Sequence, residues 1–332
     1  MSELVSVLIP AYNAERWISS TIESALVQTW ENKEIIIVDD GSSDRTFEIA
    51  KKFASPSVKV LTQDNQGASS ARNKALTLAN GDYIQWLDAD DLLAPNKIAE
   101  QMKVAEGRRS DPVLYSSPHA VFYYRTKKAK FVPNALWQDL PPVDWLIKNM
   151  SEHLWMNPAG WLVSLRLTEK AGPWDERLSM DDDGEYFARV VAASEMVKFV
   201  PESQCYYRQS SFNQVSRNLS NKTRDSWLLS ATLRIRSLQS LEDSERTRKA
   251  GLALLQTRLP RFYPEDKESL KLINTFAAEL GGKLTPSQFG WRAGLLHKIF
   301  GPKKGKELMI ILRRLRMAAA VRWDELMYKL GR

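Results

Sequence analysis

Cysteine is scarce in this chain of 332 residues, and long apolar runs are missing. Cys205 is the single cysteine, which excludes an internal disulfide framework and favours a reducing compartment. No stretch approaches the ~18 consecutive apolar residues of a membrane-spanning helix. Residues 1–6 carry Glu3 and lead into a strand-like segment, unlike a secretory signal. We therefore expect a cytoplasmic location, with peripheral attachment to the inner face of the membrane left open.

Glycine and proline, at 15 residues each, are present in ordinary amounts. Together with 43% hydrophobic and 26% charged residues, they exclude collagen-like, low-complexity and mostly disordered chains. The length suits two units of roughly 100–200 residues, or one domain with a large extension.

Charge is divided unevenly along the chain. The first 221 residues carry 24 Lys and Arg against 29 Asp and Glu, whereas the remaining residues carry 23 against 11. The overall charge of +7 therefore combines an acidic front half with a strongly basic tail. Three kinds of partner suit that tail: the rest of the chain or a second copy of it, an anionic membrane surface, or nucleic acid. The acidic front half disfavours nucleic acid.

The first hundred residues alternate strand-like and helix-like segments. The strand-like runs are short, β-branched and bounded by turn residues. This alternation predicts an α/β fold with a mainly parallel sheet and helices on both faces, in which ligands bind beyond the carboxyl ends of the strands. The predicted strands are 4–9, 34–39, 58–62 and 82–87, and the predicted helices are 14–30, 44–53 and 67–78.

The remaining sequence divides into two parts. Residues 110–201 are irregular and rich in tryptophan, and we expect strand and loop around the same sheet there. Within them, Trp155 and Trp161 are candidates for stacking on a sugar, with a place in the core as the alternative. From residue 221 the apolar spacing becomes helical, and glycines at 281–282 and 301 divide this region into at least three helices.

Three clusters of acidic residues are the candidates for catalysis or ligand binding. Asp88–Asp91 follows a predicted strand and suits either a hard divalent cation or a helix-capping turn. Asp39–Asp44 follows another strand, where it can hydrogen-bond a base or ribose or form a turn. Asp181–Glu185 precedes a helix-like segment and suits a general base or a helix N-terminus. Each cluster alone leaves both interpretations open.

Taken in order, these segments resemble glycosyltransferase family 2, the inverting nucleotide-sugar transferases of the GT-A fold. The resemblance covers about residues 4–210 and depends on the whole set of motifs and their order. The matching segments are Val5–Asn13, Ile36–Asp44, Asn65–Gly67, Ala71–Asn73, Gly81–Tyr83, Leu87–Asp91 and Trp174–Leu178 before Asp182-Asp183.

The resemblance implies a nucleotide pocket at the first two strand ends. Tyr12 is expected beside the base, and Asp39 is expected to accept a hydrogen bond from the base or ribose. Asn65 and Arg72 are expected to complete that wall. The other substrate-binding residues implied by the match are Pro10, Ala11, Asn13, Asp40, Gly67, Asp88 and Ala89.

The resemblance also implies a cation and a base. Asp88 and Asp90 match the D-x-D motif, which implies Mn²⁺ or Mg²⁺ bound by Asp90, with Asp88 a second ligand nearer the ribose. Asp183 takes the position of the catalytic base, with Asp182 as its alternate. No histidine closely follows Tyr207-Arg208, so a third metal ligand from that segment is not expected.

The expected protein is thus a GT-A catalytic domain at residues 1–220 followed by a basic helical region at 221–332. Residues 1–110 would bind the donor, and residues 111–220 would carry the acceptor side and the base. Because the Gln-x-x-Arg-Trp signature of processive synthases is missing, we expect transfer of a single sugar from a nucleoside-diphosphate sugar, UDP first, with dTDP and GDP open. The acceptor would be a glycan or lipid-linked hydroxyl in cell-surface polysaccharide or lipopolysaccharide assembly. The alternative is a catalytically silent nucleotide-sugar-binding or scaffold protein on the same fold.

Overall fold

Strands and helices alternate through the first hundred residues, as the sequence predicts. The computed structural model describes residues 2–106, 112–209, 221–262, 266–285 and 291–331. The first elements are β1 (Val5–Ala11), α1 (Ile18–Leu26), β2 (Lys33–Asp39), α2 (Thr46–Lys51), β3 (Val58–Thr62), α3 (Ala68–Thr77) and β4 (Tyr83–Trp86).

The middle of the chain differs from the prediction. Besides the helix-like segment expected after Asp181–Glu185, the described part of residues 110–201 contains two helices of seven residues or more, and most of its short strands form two further sheets instead of extending the central one. Strands of two to four residues show no readable alternation, which is why the sequence pattern failed here. The elements are β5 (Leu92–Leu93), α4 (Lys97–Ala105), β6 (Val113–Ser116), β7 (His119–Phe122), β8 (Lys130–Phe131), α5 (Pro142–Ser151), β9 (Val163–Ser164), α6 (Leu165–Ala171), α7 (Asp182–Ala193), β10 (Met196–Phe199) and β11 (Cys205–Arg208).

The last third is helical, as expected. Its long helix α11 breaks at Gly301, whose φ of 75° lies in the left-handed region that glycine adopts freely. Within the described residues, no helix combines the length and apolarity needed to cross a bilayer. The helices are α8 (Asn221–Leu241), α9 (Glu245–Phe262), α10 (Lys267–Glu279) and α11 (Trp291–Lys329).

The central sheet has the order β3-β2-β1-β4-β9, with β9 antiparallel and the other pairs parallel. Both of its faces are buried: Val7 and Ile9 pack in one core with α1 and α4, and Leu8 and Trp86 pack in the other with α3 and α7. A parallel sheet covered on both faces confirms the predicted α/β class. The smaller sheets are β10-β6 and β5-β11-β7-β8.

The C-terminal helices α8–α10 share a hydrophobic core with the sheet. Trp227 and Ile235 of α8 are buried in the same cluster as Trp174 and Phe187. Side-chain packing is therefore continuous across residue 220. The division of the chain at that residue remains a prediction.

We expect Trp227→Ala to lower the free energy of unfolding by about 3–5 kcal/mol, because this large side chain is only 2% exposed and its removal leaves a cavity. Urea unfolding followed by circular dichroism measures the change. Trp323→Ala is the matched control, since Trp323 is 63% exposed and its loss should cost less than about 0.5 kcal/mol. Equal losses would contradict a shared core.

Candidate functional site

The carboxyl ends of β1, β2 and β4 meet at one edge of the central sheet. The Asp40 amide donates to the Ala11 carbonyl (2.8 Å), which joins the first two ends, and Thr21 of α1 donates to the Ala89 carbonyl (2.9 Å) beyond the third. The strand order reverses direction between β1 and β4, where parallel sheets form a ligand-binding crevice. The predicted donor-binding segments therefore do come together.

Asp39 and Asp40 are adjacent but play different parts. Asp40 is saturated by donors of the following loop, since it accepts from the Gln63 side chain (2.7 Å) and the amides of Gln66 (3.0 Å) and Gly67 (2.8 Å). Asp39 accepts from Thr62 through Oδ2, whereas its buried Oδ1 has no hydrogen-bond partner among the described residues. Only Asp39 thus keeps an oxygen for a ligand, and Asp40 shapes the loop.

The segment after β1 presents one free aromatic ring. Pro10 and Ala11 are buried at the strand end, whereas Tyr12 is 53% exposed. Asn13 has a positive φ of 48°, and its side chain accepts from the Ser43 amide (2.9 Å). This bond fixes the turn that holds Tyr12 at the rim of the crevice.

A second set of bonds fixes the opposite wall of the predicted nucleotide pocket. The exposed Asn65 donates from its side chain to the Asp40 carbonyl (2.9 Å), and Gly67 precedes α3 with a positive φ of 98°. A left-handed φ of this size is accessible to glycine at no steric cost. The loop therefore delivers α3, and with it Arg72, to the site.

Arg72 connects two of the three acidic clusters. Its Nη2 donates to Asp88 (2.8 Å) and its Nη1 to Asp182 (2.6 Å), while the guanidinium lies 4.3 Å from the Trp174 ring centre. Burial alone would lower the pKa of Arg72, but Asp88 and Asp182 outweigh it and raise the pKa above its usual value. The guanidinium is thus a fixed cation between carboxylates more than ninety residues apart in the chain.

The three consecutive aspartates at the start of α7 lie in different environments. Asp181 has a left-handed backbone (φ 59°) and accepts from Arg234 (2.8 Å), and Asp182 is held by Arg72. Asp183 is half-buried; it accepts from the Gly184 amide (2.8 Å) and forms no salt bridge in the part of the chain that the structure describes. Its carboxylate is therefore the one left for a ligand or a proton.

Burial is the largest influence on Asp183, followed by the charges of Asp182 and Asp181. Together they raise the pKa of Asp183 to about 7, although Arg72 works in the opposite direction. A carboxylate with a pKa near neutrality is well matched to accept a proton from a hydroxyl.

The sequence analysis missed three residues of α8 that support this turn. Ser226 accepts from the Met180 amide (2.9 Å), Ser230 donates to Asp181 (2.7 Å), and Arg234 joins Asp181 to Asn149. They lie four residues apart, beside the apolar positions 227, 231 and 235, so helical spacing places them on one face. That polar stripe beside an apolar one is the signal that could have found them.

The Asp88–Asp91 loop keeps two carboxylates accessible. Asp91 is fully buried and accepts from the Asn157 side chain (2.7 Å) and the Arg208 amide (2.8 Å), so its role is to hold the loop. Asp88 and Asp90 are partly exposed. No group of three or more metal-ligating side chains occurs among the described residues. Two oxygen donors nonetheless fit a cation that takes its other ligands from phosphates and water.

The two tryptophans considered for stacking on a sugar differ in exposure. Trp161 is fully buried and stacks on Phe187 (5.2 Å between ring centres), so the structure favours the core alternative for it. Trp155 is 41% exposed, and its ring lies 5.0 Å from Tyr207 and 4.5 Å from His119. Trp155 is two residues from the Asn157 that holds the Asp88–Asp91 loop, which places it beside the site.

We expect Arg72→Met to destabilise the protein by about 3–5 kcal/mol, because it leaves Asp88 and Asp182 close together without their cation. Thermal and urea unfolding measure the loss. Arg177→Met is the matched control: Arg177 is largely exposed, and its salt bridge among the described residues is to the nearby Asp175, so little change is expected. A stable Arg72→Met protein would show that the carboxylates do not depend on this bridge.

Comparison with known proteins finds a family match over part of the chain. Residues 6–139 match the model of glycosyl transferase family 2. Glycosyltransferase GlyG of Streptococcus pneumoniae is 37% identical over 132 residues, which cover 37% of this chain and 44% of GlyG. An Escherichia coli protein named UDP-Glc:alpha-D-GlcNAc-diphosphoundecaprenol beta-1,3-glucosyltransferase WfaP is 38% identical over 144 residues, covering 43% of this chain and 54% of WfaP. The chain spans about half the length of these curated relatives.

Solved structures show the same fold over nearly the whole chain. S. aureus TarS 1-349 in complex with UDP has a TM-score of 0.63 at 16% identity, covering 99% of this chain and 92% of TarS 1-349. The complex of the same protein with UDP-GlcNAc gives a TM-score of 0.63 at 18% identity. The expected GT-A fold is confirmed. Residues 6–139 are the part of the chain that is similar to glycosyltransferase family 2.

Proposed function

We propose that this protein is an inverting glycosyltransferase that moves one sugar from a nucleoside-diphosphate sugar to a hydroxyl acceptor. The observation that carries the proposal is the environment of Asp183. Its carboxylate has no salt bridge among the described residues and a pKa raised to about 7, and Arg72 ties its neighbour Asp182 to the Asp88–Asp91 loop. A proton acceptor is thus held beside a loop suited to a diphosphate.

The donor is proposed to be a UDP-sugar. The exposed ring of Tyr12 and the unpartnered oxygen of Asp39 offer a stacking surface and a hydrogen-bond acceptor at the same strand edge. Two similar proteins support the choice of nucleotide, since TarS is solved with UDP and WfaP is named for UDP-Glc. Asn65 and Arg72 complete the wall opposite the ring.

In the proposed reaction, Asp183 accepts the proton of the acceptor hydroxyl as its oxygen bonds to the anomeric carbon. The bond from that carbon to the diphosphate breaks on the opposite face, so one displacement inverts the configuration. When bound by Asp88 and Asp90, Mg²⁺ or Mn²⁺ would neutralise charge on the departing diphosphate. Arg72 keeps Asp182 occupied, which leaves Asp183 as the base.

The acceptor is proposed to be a glycan, in particular one linked to a lipid diphosphate, in cell-surface glycan assembly. WfaP and a second E. coli relative, WfgD, are named for diphosphoundecaprenol-linked acceptors. Trp155 offers an exposed ring on the acceptor side, where a sugar face can stack. Such an acceptor would require the protein to work at the inner face of the membrane.

We expect UDP to raise the melting temperature of the protein in a Mn²⁺-dependent way, more than GDP, dTDP or CMP. Asp39→Asn should reduce the UDP shift by weakening the acceptor at Oδ1, and Asp88→Asn should reduce its dependence on Mn²⁺. Asp243→Asn is the control, because Asp243 is an exposed residue that pairs with Arg248 just after α8. If no nucleotide shifts the melting temperature, the donor proposal is wrong and the scaffold alternative is favoured.

We expect Asp183→Asn to lower turnover of the donor by roughly 10²–10⁴-fold while the UDP-induced thermal shift is retained. In the unaltered protein, the rate should fall as the pH drops below about 7, because a protonated Asp183 cannot accept a proton. A coupled assay of UDP release over pH 5 to 9 measures both, with Asp243→Asn again as the control. A variant that keeps full turnover would remove Asp183 from the role of base.

A further inference from the structure

The C-terminal half of α11 has one face in contact with the rest of the protein and one face in solvent. On the inner face, Val321 and Asp324 are buried. On the outer face, six exposed apolar residues recur at intervals of three or four, which places them on one side of the helix. These residues, called here the apolar stripe, are Leu312, Leu315, Ala319, Trp323, Leu326 and Leu330.

The inner face is anchored by several polar contacts. Asp324 accepts from the Tyr124 amide (2.9 Å) and pairs with Arg125 (2.7 Å), and Glu325 pairs with Arg16 (3.1 Å). Because these bonds fix the rotation of the helix, the apolar stripe must face outward. It covers about 27 Å along the helix axis at 1.5 Å per residue.

Cations accompany the stripe. Arg316, Arg322 and Lys329 are exposed on the same part of α11, and residues 222–332 carry 23 Lys and Arg against 11 Asp and Glu. A second copy of the chain, packed stripe to stripe, would bring these like charges together. An anionic lipid surface satisfies both features, because acyl chains accept the leucines, lipid phosphates attract the cations, and a tryptophan suits the boundary between them.

We propose that the apolar stripe of α11 binds the surface of an anionic lipid bilayer. The helix lies on the interface with its leucines and Trp323 inserted at the headgroup level, and its cations contact lipid phosphates. The basic composition of the tail left open where a membrane would bind, and this proposal places the contact on the apolar stripe.

The stripe is connected to the donor site through packed side chains. Tyr124, whose amide donates to Asp324, packs its ring against Trp17 (5.2 Å), and Arg208 lies 4.3 Å from the Trp17 ring centre. Arg208 in turn donates to the Asp90 carbonyl (2.6 Å). A bilayer bound at this face would therefore lie at a fixed orientation to the site. If the proposed function holds, on which this step rests, the bilayer would present a lipid-linked acceptor to the site.

Co-sedimentation of the full chain with vesicles tests the proposal. Vesicles of phosphatidylcholine with phosphatidylglycerol should pellet the protein, and vesicles of phosphatidylcholine alone should pellet far less. The stripe variant Leu315→Ser/Trp323→Ser/Leu326→Ser should lower the partition coefficient at least ~10-fold. Arg316→Gln/Arg322→Gln should lower it about 5-fold per cation, and high salt should mimic that change.

The matched control replaces three apolar residues of similar exposure elsewhere, Val27→Ser/Val132→Ser/Leu272→Ser, and should bind as the unaltered chain does. The UDP-induced thermal shift should persist in every variant, which shows that the proteins are folded and separates this test from that of the donor site. Equal binding by the stripe variant, or no binding by the unaltered chain, would overturn the proposal. Sedimentation velocity tests the other occupant. If the unaltered chain is a dimer and does not bind vesicles, and only the stripe variant is a monomer, the stripe binds a second copy instead.

Discussion

The arrangement of the site depends on the buried guanidinium of Arg72. Arg72 contacts Asp88 after β4 and Asp182 at the start of α7, and it lies over the Trp174 ring. Without a cation, carboxylates from both segments would repel one another across the crevice. The bridge therefore sets the distance between the Asp88–Asp91 loop and the turn that carries Asp183. It also separates two adjacent aspartates, since Asp182 is engaged and Asp183 is left with a raised pKa.

The C-terminal helices belong to this arrangement as much as the sheet does. Asp181 holds a left-handed backbone because its carboxylate is bound by Ser230 and Arg234 of α8. The same helix buries Trp227 in the core that contains Trp174. Two arginines thus anchor the turn that carries Asp183, Arg72 through Asp182 and Arg234 through Asp181. Helix α8, which begins the tail that stands apart by composition, is therefore packed as one unit with the turn that carries Asp183.

The sequence predicted the first four strands and the grouping of their acidic ends, because β-branched runs and short polar turns are strong local signals. The sequence could not show which of two adjacent aspartates keeps an oxygen available for a ligand. Asp39 and Asp40 differ in which donors reach them, and most of those donors come from the end of β3 and the loop after it, more than twenty residues away. The sequence left core and surface open for Trp161 for the same reason, since its burial depends on Phe187 of the distant helix α7. The strands in the middle of the chain are too short to show an alternation of apolar and polar residues.

In the proposed donor site, the unpartnered oxygen of Asp39 would discriminate between bases. A buried acceptor without a donor carries a cost of about 1–3 kcal/mol, and a ligand removes that cost only if it offers an N–H at that point. For a base seated against Tyr12, uracil presents a ring N–H where cytosine presents a bare ring nitrogen. An orphaned carboxylate oxygen can therefore reject a wrong nucleotide more strongly than it attracts the right one.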